Sequence, residues 1–390
     1  MEGLMARGTI ITRTTKKGEK RYYTALWIET PDGGKDQIWR TFDRKRAAED
    51  YLDEESKKAR EGEYIEPSHM KFKDFTAEWI EKYPKLAKRP MKPSTFAGYC
   101  SVIDKHLNPF FGMMNLGQIR AATIDKDFRA QLPEGLAENT KRNILMLLRT
   151  ILQSAAEWDL LPGNPFTARR KVRVPASPRE KKGRALNPEE IKKLIDTCEG
   201  ETKTIVAATL LTGMRRAEVF GLRESDIDLE KNLIHIQQTI FWKQGKTWKP
   251  EEQGPVFVAP KSKASVRKID LSPTLRKMLL EHRLRKGNSE GLVFANPDGS
   301  PRDPRSFAKY EFRPAVKKAE LGALRFHDLR HTFGSLKIAQ NEDLLYVCRQ
   351  MGHSSINITV DIYGHLLRET NPEAAARTDA MIFGKNSAAC

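Results

Sequence analysis

The chain has 390 residues, of which 68 are Lys or Arg and 51 are Asp or Glu, so its formal net charge is +17. This length is too great for one ordinary domain and predicts two or three, while the cationic excess favours a polyanionic partner, because each Lys or Arg placed on a phosphate releases a condensed counterion. No apolar run approaches a membrane span, no signal-peptide core begins the chain, and the four cysteines lack paired spacing, so we expect a cytoplasmic protein without a disulfide framework or zinc site. The alternative is a soluble protein that is merely basic.

Residues 1–65 predict a three-stranded sheet followed by a helix. Segments rich in β-branched and aromatic residues alternate there with turns that contain glycine. The predicted strands are 8–13, 21–28 and 37–42, and the predicted helix begins at Asp43. Basic residues cluster around the first turn, and the candidate DNA contacts among them are Lys16, Lys17 and Arg21. A β-rich module that contacts another protein is the alternative.

Helical periodicity replaces the strand pattern over residues 70–168. Phe72, Phe75 and Trp79 recur at the spacing of one helix face. Further helices are predicted to begin near Ser94 and Asn139. This segment therefore predicts an all-α domain.

Residues 169–184 are typical of a linker, because they combine proline, glycine and basic side chains without apolar periodicity. A basic linker between two DNA-binding domains can follow the DNA backbone and close a clamp. Its candidate DNA contacts are Arg179, Lys181 and Lys182. The alternative is a solvated run of charge.

Residues 185–390 predict a mainly α domain with a small antiparallel β-sheet. Asn187 suits a helix N-cap and Glu190 can complete its capping box, and we expect helix from there to about Leu222. The predicted strands are 232–239, 255–259 and 265–271. The remainder is predicted to be helical apart from residues 292–294, and the tail is predicted to form a helix near 372–377. The whole chain thus predicts a multidomain α+β fold.

Three segments of this last domain carry residues suited to act on a phosphodiester. They are Thr212-Gly213-Met214-Arg215-Arg216-Ala217-Glu218, His327-Asp328-Leu329-Arg330-His331-Thr332, and Gly352 to His365, in which Tyr363 follows His353 by ten residues. Attack on a phosphodiester builds negative charge on the equatorial oxygens, which fixed positive donors must meet. Arginine suits this task because its planar fork makes paired hydrogen bonds and stays protonated. The set can attack DNA without a metal ion or cofactor.

In this order the three segments resemble those of the tyrosine recombinase (phage integrase) family. The resemblance assigns charge stabilisation to Arg215 and Arg330, phosphate contacts to His327 and His353, and nucleophilic attack to Tyr363. The expected product is a 3′-phosphotyrosine link and a free 5′-hydroxyl. Because the link keeps the phosphodiester energy, rejoining needs no ATP.

The neighbours of these residues are assigned less directly. Glu218 lies one helical turn after Arg215 and is expected to support that region. We interpret His331 as structural and directed away from the site. The resemblance places the general acid for the leaving oxygen at Lys261, with Lys263 as its rival. Among the matched residues His327 is the nearest candidate base, but the family leaves the base open.

The resemblance also implies a division of labour along the chain. It assigns arm-site DNA binding to residues 1–65, core-site binding to 70–168, and catalysis to 185–390, whose tail docks on a neighbouring copy or in cis. The positions of the helical domain that match DNA-facing ones are Lys92, Thr95, Lys141 and Arg142. The implied partners are double-stranded DNA with core and arm attachment sites, a homotetramer, an excisionase and a DNA-bending host factor, and no membrane.

Three other functions compete with this prediction. A type IB topoisomerase shares the tyrosine chemistry, but the His-x-x-Arg segment and the separate N-terminal sheet argue against it. A non-catalytic DNA-binding regulator would keep the charge and lose the three segments, which are intact. A metal-dependent transposase would need clustered carboxylates, which the sequence does not indicate. We therefore predict a site-specific recombinase, the integrase of a prophage or other mobile element.

Overall fold

The computed structural model of the chain describes residues 7–14, 19–29, 35–60, 68–86, 91–167, 172–175, 183–260, 262–287, 291–366 and 372–384. It divides into two compact units, Met1–Pro178 and Arg179–Cys390. Each unit has a hydrophobic core of its own. Of the described helices, none is long and apolar enough to cross a membrane.

The first unit begins with an antiparallel sheet of three strands in the order β1-β2-β3. The strands are β1 (Arg7–Thr14), β2 (Lys20–Glu29) and β3 (Lys35–Phe42), and helix α1 (Lys45–Arg60) follows. Tyr22 is in register with Thr12 of β1 and Phe42 of β3. Helix α1 contacts all three strands and buries Ala48 and Leu52. The predicted sheet and helix are both present.

The rest of the first unit is helical. Its helices are α2 (Phe72–Leu86), α3 (Pro93–Val102), α4 (Asn108–Phe111), α5 (Arg129–Gln131) and α6 (Glu138–Glu157). The apolar face expected for α2 is buried, with Phe72, Phe75 and Trp79 fully enclosed. They pack with the apolar side of α6, including Leu148 and Ile151, in one core.

The second unit packs ten helices of the described residues around two small sheets. Its helices are α7 (Pro188–Thr197), α8 (Gly200–Thr212), α9 (Arg216–Val219), α10 (Pro273–Lys286), α11 (Pro304–Phe307), α12 (Arg313–Lys318), α13 (Phe326–Ala339), α14 (Leu344–Met351), α15 (Ile356–Tyr363) and α16 (Pro372–Phe383). Its strands are β4 (Ile227–Asp228), β5 (Leu233–Ile236), β6 (Thr239–Lys243), β7 (Gly254–Val258) and β8 (Arg267–Asp270), with β4-β5-β8 in one antiparallel sheet and β6-β7 in the other. Helix α8 is buried from Thr204 to Leu210 and packs against α10 and α13.

The fold class predicted from the sequence is confirmed, whereas several boundaries differ. The capping box of Asn187 and Glu190 forms as expected, with Glu190 N donating to Asn187 Oδ1 at 2.8 Å. The stretch expected to be helical up to about Leu222 is divided into α7, α8 and α9. Gly213, with φ +64°, ends α8, and an extended Arg215 precedes α9. Residues 232–239 are β5 and the first residue of β6.

Residues 292–294, which were excepted from the predicted helices, are indeed not helical. Leu292 makes one isolated bridge to Arg223, and the next two residues, Val293 and Phe294, pack into the core without a strand partner. A short apolar run is buried in either case, so its composition could not distinguish a strand from an irregular core segment.

Candidate active site

Main-chain carbonyl groups hold the two predicted catalytic arginines. Arg215 is the N-cap of α9, and its Nη2 donates to the Gly352 carbonyl at 2.8 Å. Arg330, on α13, donates from Nη1 to the Gly213 carbonyl and from Nη2 to the Met351 carbonyl, each at 2.6 Å. These carbonyls lie at the C-terminal ends of α8 and α14, where the helix dipole favours a cation. The fold itself therefore fixes both guanidinium groups.

Two glycines make this arrangement possible. Gly213 and Gly352 each have φ +64°, a left-handed conformation that glycine adopts without steric cost. A Cβ on Gly213 would lie 2.4 Å from Cδ1 of Phe333, and one on Gly352 would lie 2.9 Å from Cδ of Arg267. Each glycine thus ends a helix, and its missing side chain leaves room for Phe333 at Gly213 and for Arg267 at Gly352.

Glu218 connects Arg215 to a third arginine, Arg267 at the start of β8. Its carboxylate is 1% exposed and accepts from Arg215 Nη1 at 2.8 Å and from Arg267 Nη2 at 3.0 Å. Arg267 also donates from Nε to the Gln350 carbonyl at 2.6 Å. Burial alone would raise the pKa of Glu218, but the guanidinium groups of Arg267 and Arg215 outweigh burial and hold that pKa below its usual range. The supporting role expected for Glu218 has this geometric basis.

The site carries more positive than negative charge. Burial, together with the nearby Arg215, lowers the pKa of Arg330 to about 9. Burial, followed by the charges of Arg330 and Arg215, lowers the pKa of His353 to about 3. The pKa of His327 is also lowered, first by desolvation and then by His331 and Arg330. Burial is the largest cause of each shift, and the neighbouring positive charges add to it. That added repulsion between cations is what would favour an entering anion such as a phosphate.

Tyr363 is the last residue of α15 and is 2% exposed. Its ring lies against Gly334 of α13, where an added Cβ would be 2.5 Å from Cζ and 2.6 Å from the phenol oxygen. Burial raises the pKa of Tyr363 to about 12, and the charge of Arg330 opposes that rise. The phenol is therefore protonated at neutral pH and lies within the electrostatic influence of Arg330, a predicted catalytic residue.

His331 touches the same phenol, so the prediction that this side chain points away from the site was wrong. Its Nδ1 lies 3.3 Å from the Tyr363 oxygen. Its ring also meets the ring of His327 edge-on, with centroids 4.9 Å apart. On a helix, consecutive side chains diverge by about 100°, and that turn directs His331 from Arg330 toward α15.

The two histidines predicted to contact phosphate occupy different elements. His327 lies in the first turn of α13, where part of the residue is exposed and the imidazole is partly desolvated by its neighbours. His353 follows Gly352, and its Nδ1 lies 2.9 Å from Oγ1 of Thr359 on α15. Because Thr359 and Tyr363 share that helix, the position of His353 is coupled to the position of the tyrosine.

The other two tyrosines of the second unit lie in different surroundings. Tyr346 donates its hydroxyl to Asp270 Oδ2 at 2.7 Å, and burial with that carboxylate raises its pKa. Tyr310 is 65% exposed and its hydroxyl accepts from Lys309 Nζ. The charge of Arg330 acts on the pKa of the Tyr363 phenol, whereas carboxylates act on that of Tyr346, so Tyr363 stays the candidate nucleophile.

Several predicted residues lie outside the described part of the chain. They are Lys16, Lys17, Arg179, Lys181, Lys182 and the candidate acid Lys261. The side chain of its rival, Lys263, is not described either. Lys261 stays a prediction that rests on the resemblance.

The remaining candidate DNA contacts are described. Arg21 pairs with Asp43 at 3.2 Å, and Lys141 pairs with Glu138 at 2.8 Å. Lys92 and Thr95 lie at the start of α3, and Arg142 lies in the first turns of α6, which packs against α3. Thr95 is exposed, whereas Lys92 and Arg142 are half-buried. The roles of all three stay predictions.

A cleft opens beside His327 in the second unit. Its volume is about 950 Å³, and its charged lining is mostly basic, with Arg216, Arg313, Lys317 and Arg325 against Glu320. Sequence reasoning missed this cleft, because its basic residues come from segments far apart in the chain. A cationic cleft lined by His327 adds a surface that favours a polyanion.

Comparison with known proteins identifies the family. The model of the phage integrase family matches residues 184–370, and that of the phage integrase N-terminal SAM-like domain matches residues 71–132. The chain is 26% identical to a XerC-like tyrosine recombinase of Caldanaerobacter subterraneus subsp. tengcongensis over 93% of this chain and 97% of that protein. It is 28% identical to the ICEBs1 integrase of Bacillus subtilis, over 75% of this chain and 79% of that protein.

Solved structures share the fold. The Tn1549 transposon integrase in complex with a circular intermediate DNA has a TM-score of 0.62 at 18% identity and covers 80% of this chain and 99% of its own. A lambda integrase tetramer bound to a Holliday junction has a TM-score of 0.51 at 17% identity and covers 89% of this chain and 94% of its own. The two matched family models together cover well over half of the chain. The chain belongs to the tyrosine recombinase (phage integrase) family.

Proposed function

We propose that the protein is a site-specific DNA recombinase, the integrase of a prophage or other mobile element, and that it cleaves DNA through Tyr363. One observation carries the proposal. A buried tyrosine lies within the electrostatic influence of Arg330, which carbonyl groups hold in place as they hold Arg215. These residues lie in the range that the phage integrase family model matches. The similar ICEBs1 and phage integrases support a mobile-element origin.

The arginines supply the charge that the reaction needs. Arg215 and Arg330 bind the non-bridging oxygens of the scissile phosphate, because their carbonyl partners leave other N–H groups of each guanidinium for an anion. His327 and His353 add neutral donors to the same phosphate. Fixed donors of this kind cost no reorganisation when negative charge develops at phosphorus.

Cleavage exchanges one bond at phosphorus for another. The Tyr363 oxygen bonds to phosphorus, the bond from phosphorus to the 5′-oxygen breaks, and Lys261 protonates that oxygen. Rejoining runs the same steps in reverse and regenerates the phenol. Neither direction consumes ATP or needs a metal ion.

The DNA is held by the rest of the chain. Residues 70–168 and 185–390 bind the core site on either side of the basic linker at 169–184, and residues 1–65 bind arm sites. A lambda integrase forms a tetramer on a Holliday junction, which supports the same assembly here. DNA-bound integrases among the structural relatives support double-stranded DNA as the substrate. We place the protein in the cytoplasm, because that is where its DNA substrate lies.

A nicked suicide substrate tests the proposal, since loss of a short 5′ fragment traps the covalent link. The unmodified protein is expected to form a product that resists denaturation, and Tyr363→Phe is expected to bind DNA without forming it. Tyr346→Phe is the matched control and should form the product. Covalent product from Tyr363→Phe would overturn the assignment.

A further inference from the structure

The Tyr363 phenol meets a histidine to which the family resemblance gives no role. Nδ1 of His331 lies 3.3 Å from the phenol oxygen. The other candidate base, His327, lies on the far side of His331, whose ring it meets edge-on. In the described part of the chain, no hydrogen bond joins His327 to Tyr363. His331 is thus the basic side chain that contacts the reacting atom.

The chain holds the His331 ring from its opposite edge as well. A Cβ on Gly183 would lie 2.2 Å from Cδ2 and 2.6 Å from Nε2 of that ring, so the backbone at Gly183 packs directly against it. This backbone is anchored close by, because Leu186 N donates to Oγ1 of Thr332 at 3.0 Å. The ring is therefore confined between Gly183 and the phenol, which leaves Nδ1 directed at the oxygen.

We propose that His331 is the catalytic base that accepts the phenol proton when Tyr363 attacks DNA. The proposal rests on the proposed function and assigns the base that the sequence left open. Gly183 is a positioning residue, because it acts only by fixing the ring of His331.

The proton balance is closed. As the Tyr363 oxygen bonds to phosphorus, its proton moves to Nδ1 of a neutral His331 whose own ring proton is on Nε2, and the bond from phosphorus to the 5′-oxygen breaks. The 5′-oxygen takes a proton from Lys261, as proposed above. In rejoining, the 5′-hydroxyl returns its proton to Lys261 and His331 returns its proton to the phenol oxygen, so no net charge accumulates.

A base is needed because the phenol is protonated at neutral pH. A positioned base contributes roughly 10²–10⁴-fold to such a step. An acceptor must lie within hydrogen-bond reach of the proton that it takes, with allowance for a longer distance before the substrate tightens the site. The 3.3 Å between His331 and Tyr363 meets that condition.

The test replaces Tyr363 by 3,5-difluorotyrosine, whose phenol ionises at lower pH and depends less on a base. Single-turnover formation of the covalent complex is measured with the nicked substrate in four proteins, with tyrosine or difluorotyrosine at 363 and with histidine or alanine at 331. We expect His331→Ala to slow the tyrosine protein by roughly 100-fold or more, and to slow the difluorotyrosine protein at least tenfold less than that. Equal losses in the two backgrounds would overturn the proposal.

His327→Ala is the rival in the same design. If His327 were the base, difluorotyrosine would relieve the loss in His327→Ala and not in His331→Ala, which would contradict the proposal. His331→Gln keeps a hydrogen-bonding side chain that cannot accept a proton, so we expect it to form the covalent complex slowly. Full activity would mean that His331 only positions the phenol and does not take its proton. Thermal melting and DNA binding of each variant identify a folding defect, which difluorotyrosine would not relieve.

Gly183→Ala gives an independent variant, because it displaces the His331 ring without changing it. We expect slower cleavage that difluorotyrosine relieves. Gly135→Ala is its matched control, since a Cβ there meets nothing within 4 Å. If the unmodified protein forms covalent product while the His331 and Gly183 variants show no relief, this proposal fails and the proposed function stands. If the unmodified protein forms none, the proposed function fails.

Discussion

At the residue scale, the site depends on how each arginine is held. Arg215 and Arg330 each use part of the guanidinium on a carbonyl at a helix C-terminus, and Glu218 adds a buried counter-charge between Arg215 and Arg267. Removing a buried carboxylate that pairs with two guanidinium groups lowers the free energy of unfolding strongly, because it leaves like charges together in a poorly solvated place.

Glu218→Gln removes that counter-charge with little change in shape. We expect the free energy of unfolding to fall by about 3 kcal/mol, as for other broken buried ion pairs, and covalent complex formation to slow because Arg215 is no longer fixed. Urea unfolding measures the first effect and the suicide substrate the second. Glu189→Gln, at an exposed position of α7, should change neither. Unchanged stability in Glu218→Gln would show that the carboxylate is not a structural support.

The sequence predicted most individual site residues, and it missed those that depend on distant contacts. The order of arginines, histidines and tyrosine indicated Arg215, Arg330 and Tyr363 without a structure. Arg267 lies 49 residues from Glu218 along the chain, and local periodicity does not encode such a pairing. The contact of His331 with Tyr363 was missed for the same reason, because nothing in its segment indicates that α15 lies beside it.

At the element scale, the packing of α15 on α13 sets the position of the nucleophile. The ring of Tyr363 fits against Gly334, in a small cluster with Phe333, Val347 and Met351. Amphipathic patterning predicted the helices, but not which residue faces which across two of them. The broken helix at Gly213 is the other example, because glycine inside a helical pattern does not by itself show where the helix ends.

Gly334→Ala tests this packing. A Cβ at 2.5 Å from Tyr363 Cζ must push the ring away, so we expect covalent complex formation to fall at least tenfold, while overpacking costs roughly 1–3 kcal/mol of stability. DNA binding should be retained, because the arginines are held from other elements. A Gly334→Ala protein that cleaves as fast as the Gly135→Ala control would mean that this contact does not position the phenol.

At the scale of the whole molecule, we propose that catalysis and arm-site binding are carried by different parts of the chain. Every residue of the candidate site lies after Gly183, whereas the three-stranded sheet and α1 end by Arg60. The excess of 68 basic over 51 acidic residues is consistent with contacts on more than one DNA segment. Composition predicted the partner class, but the way in which domains share the DNA depends on geometry that composition does not contain.

Deletion of residues 1–65 tests that division. We expect cleavage of an isolated core site to persist, protection of outlying sites in a footprint to disappear, and recombination between full attachment sites to fall, because contacts on a second duplex segment add affinity and place copies without touching the chemistry. An unchanged footprint would contradict arm-site binding and favour contact with another protein as the role of the N-terminal sheet. Loss of core-site cleavage would mean that residues 1–65 help to hold the core site itself.

The most direct test of the central claim is to identify the residue that becomes linked to DNA. The covalent complex is formed in excess EDTA on a suicide substrate, digested with trypsin and analysed by mass spectrometry. The account predicts that DNA is attached to the peptide of residues 350–368, which contains Tyr363 and no other tyrosine, and that the chelator does not reduce the yield. Attachment to the peptide of residues 338–349, which contains Tyr346, or a complex that forms only with Mg²⁺, would contradict it.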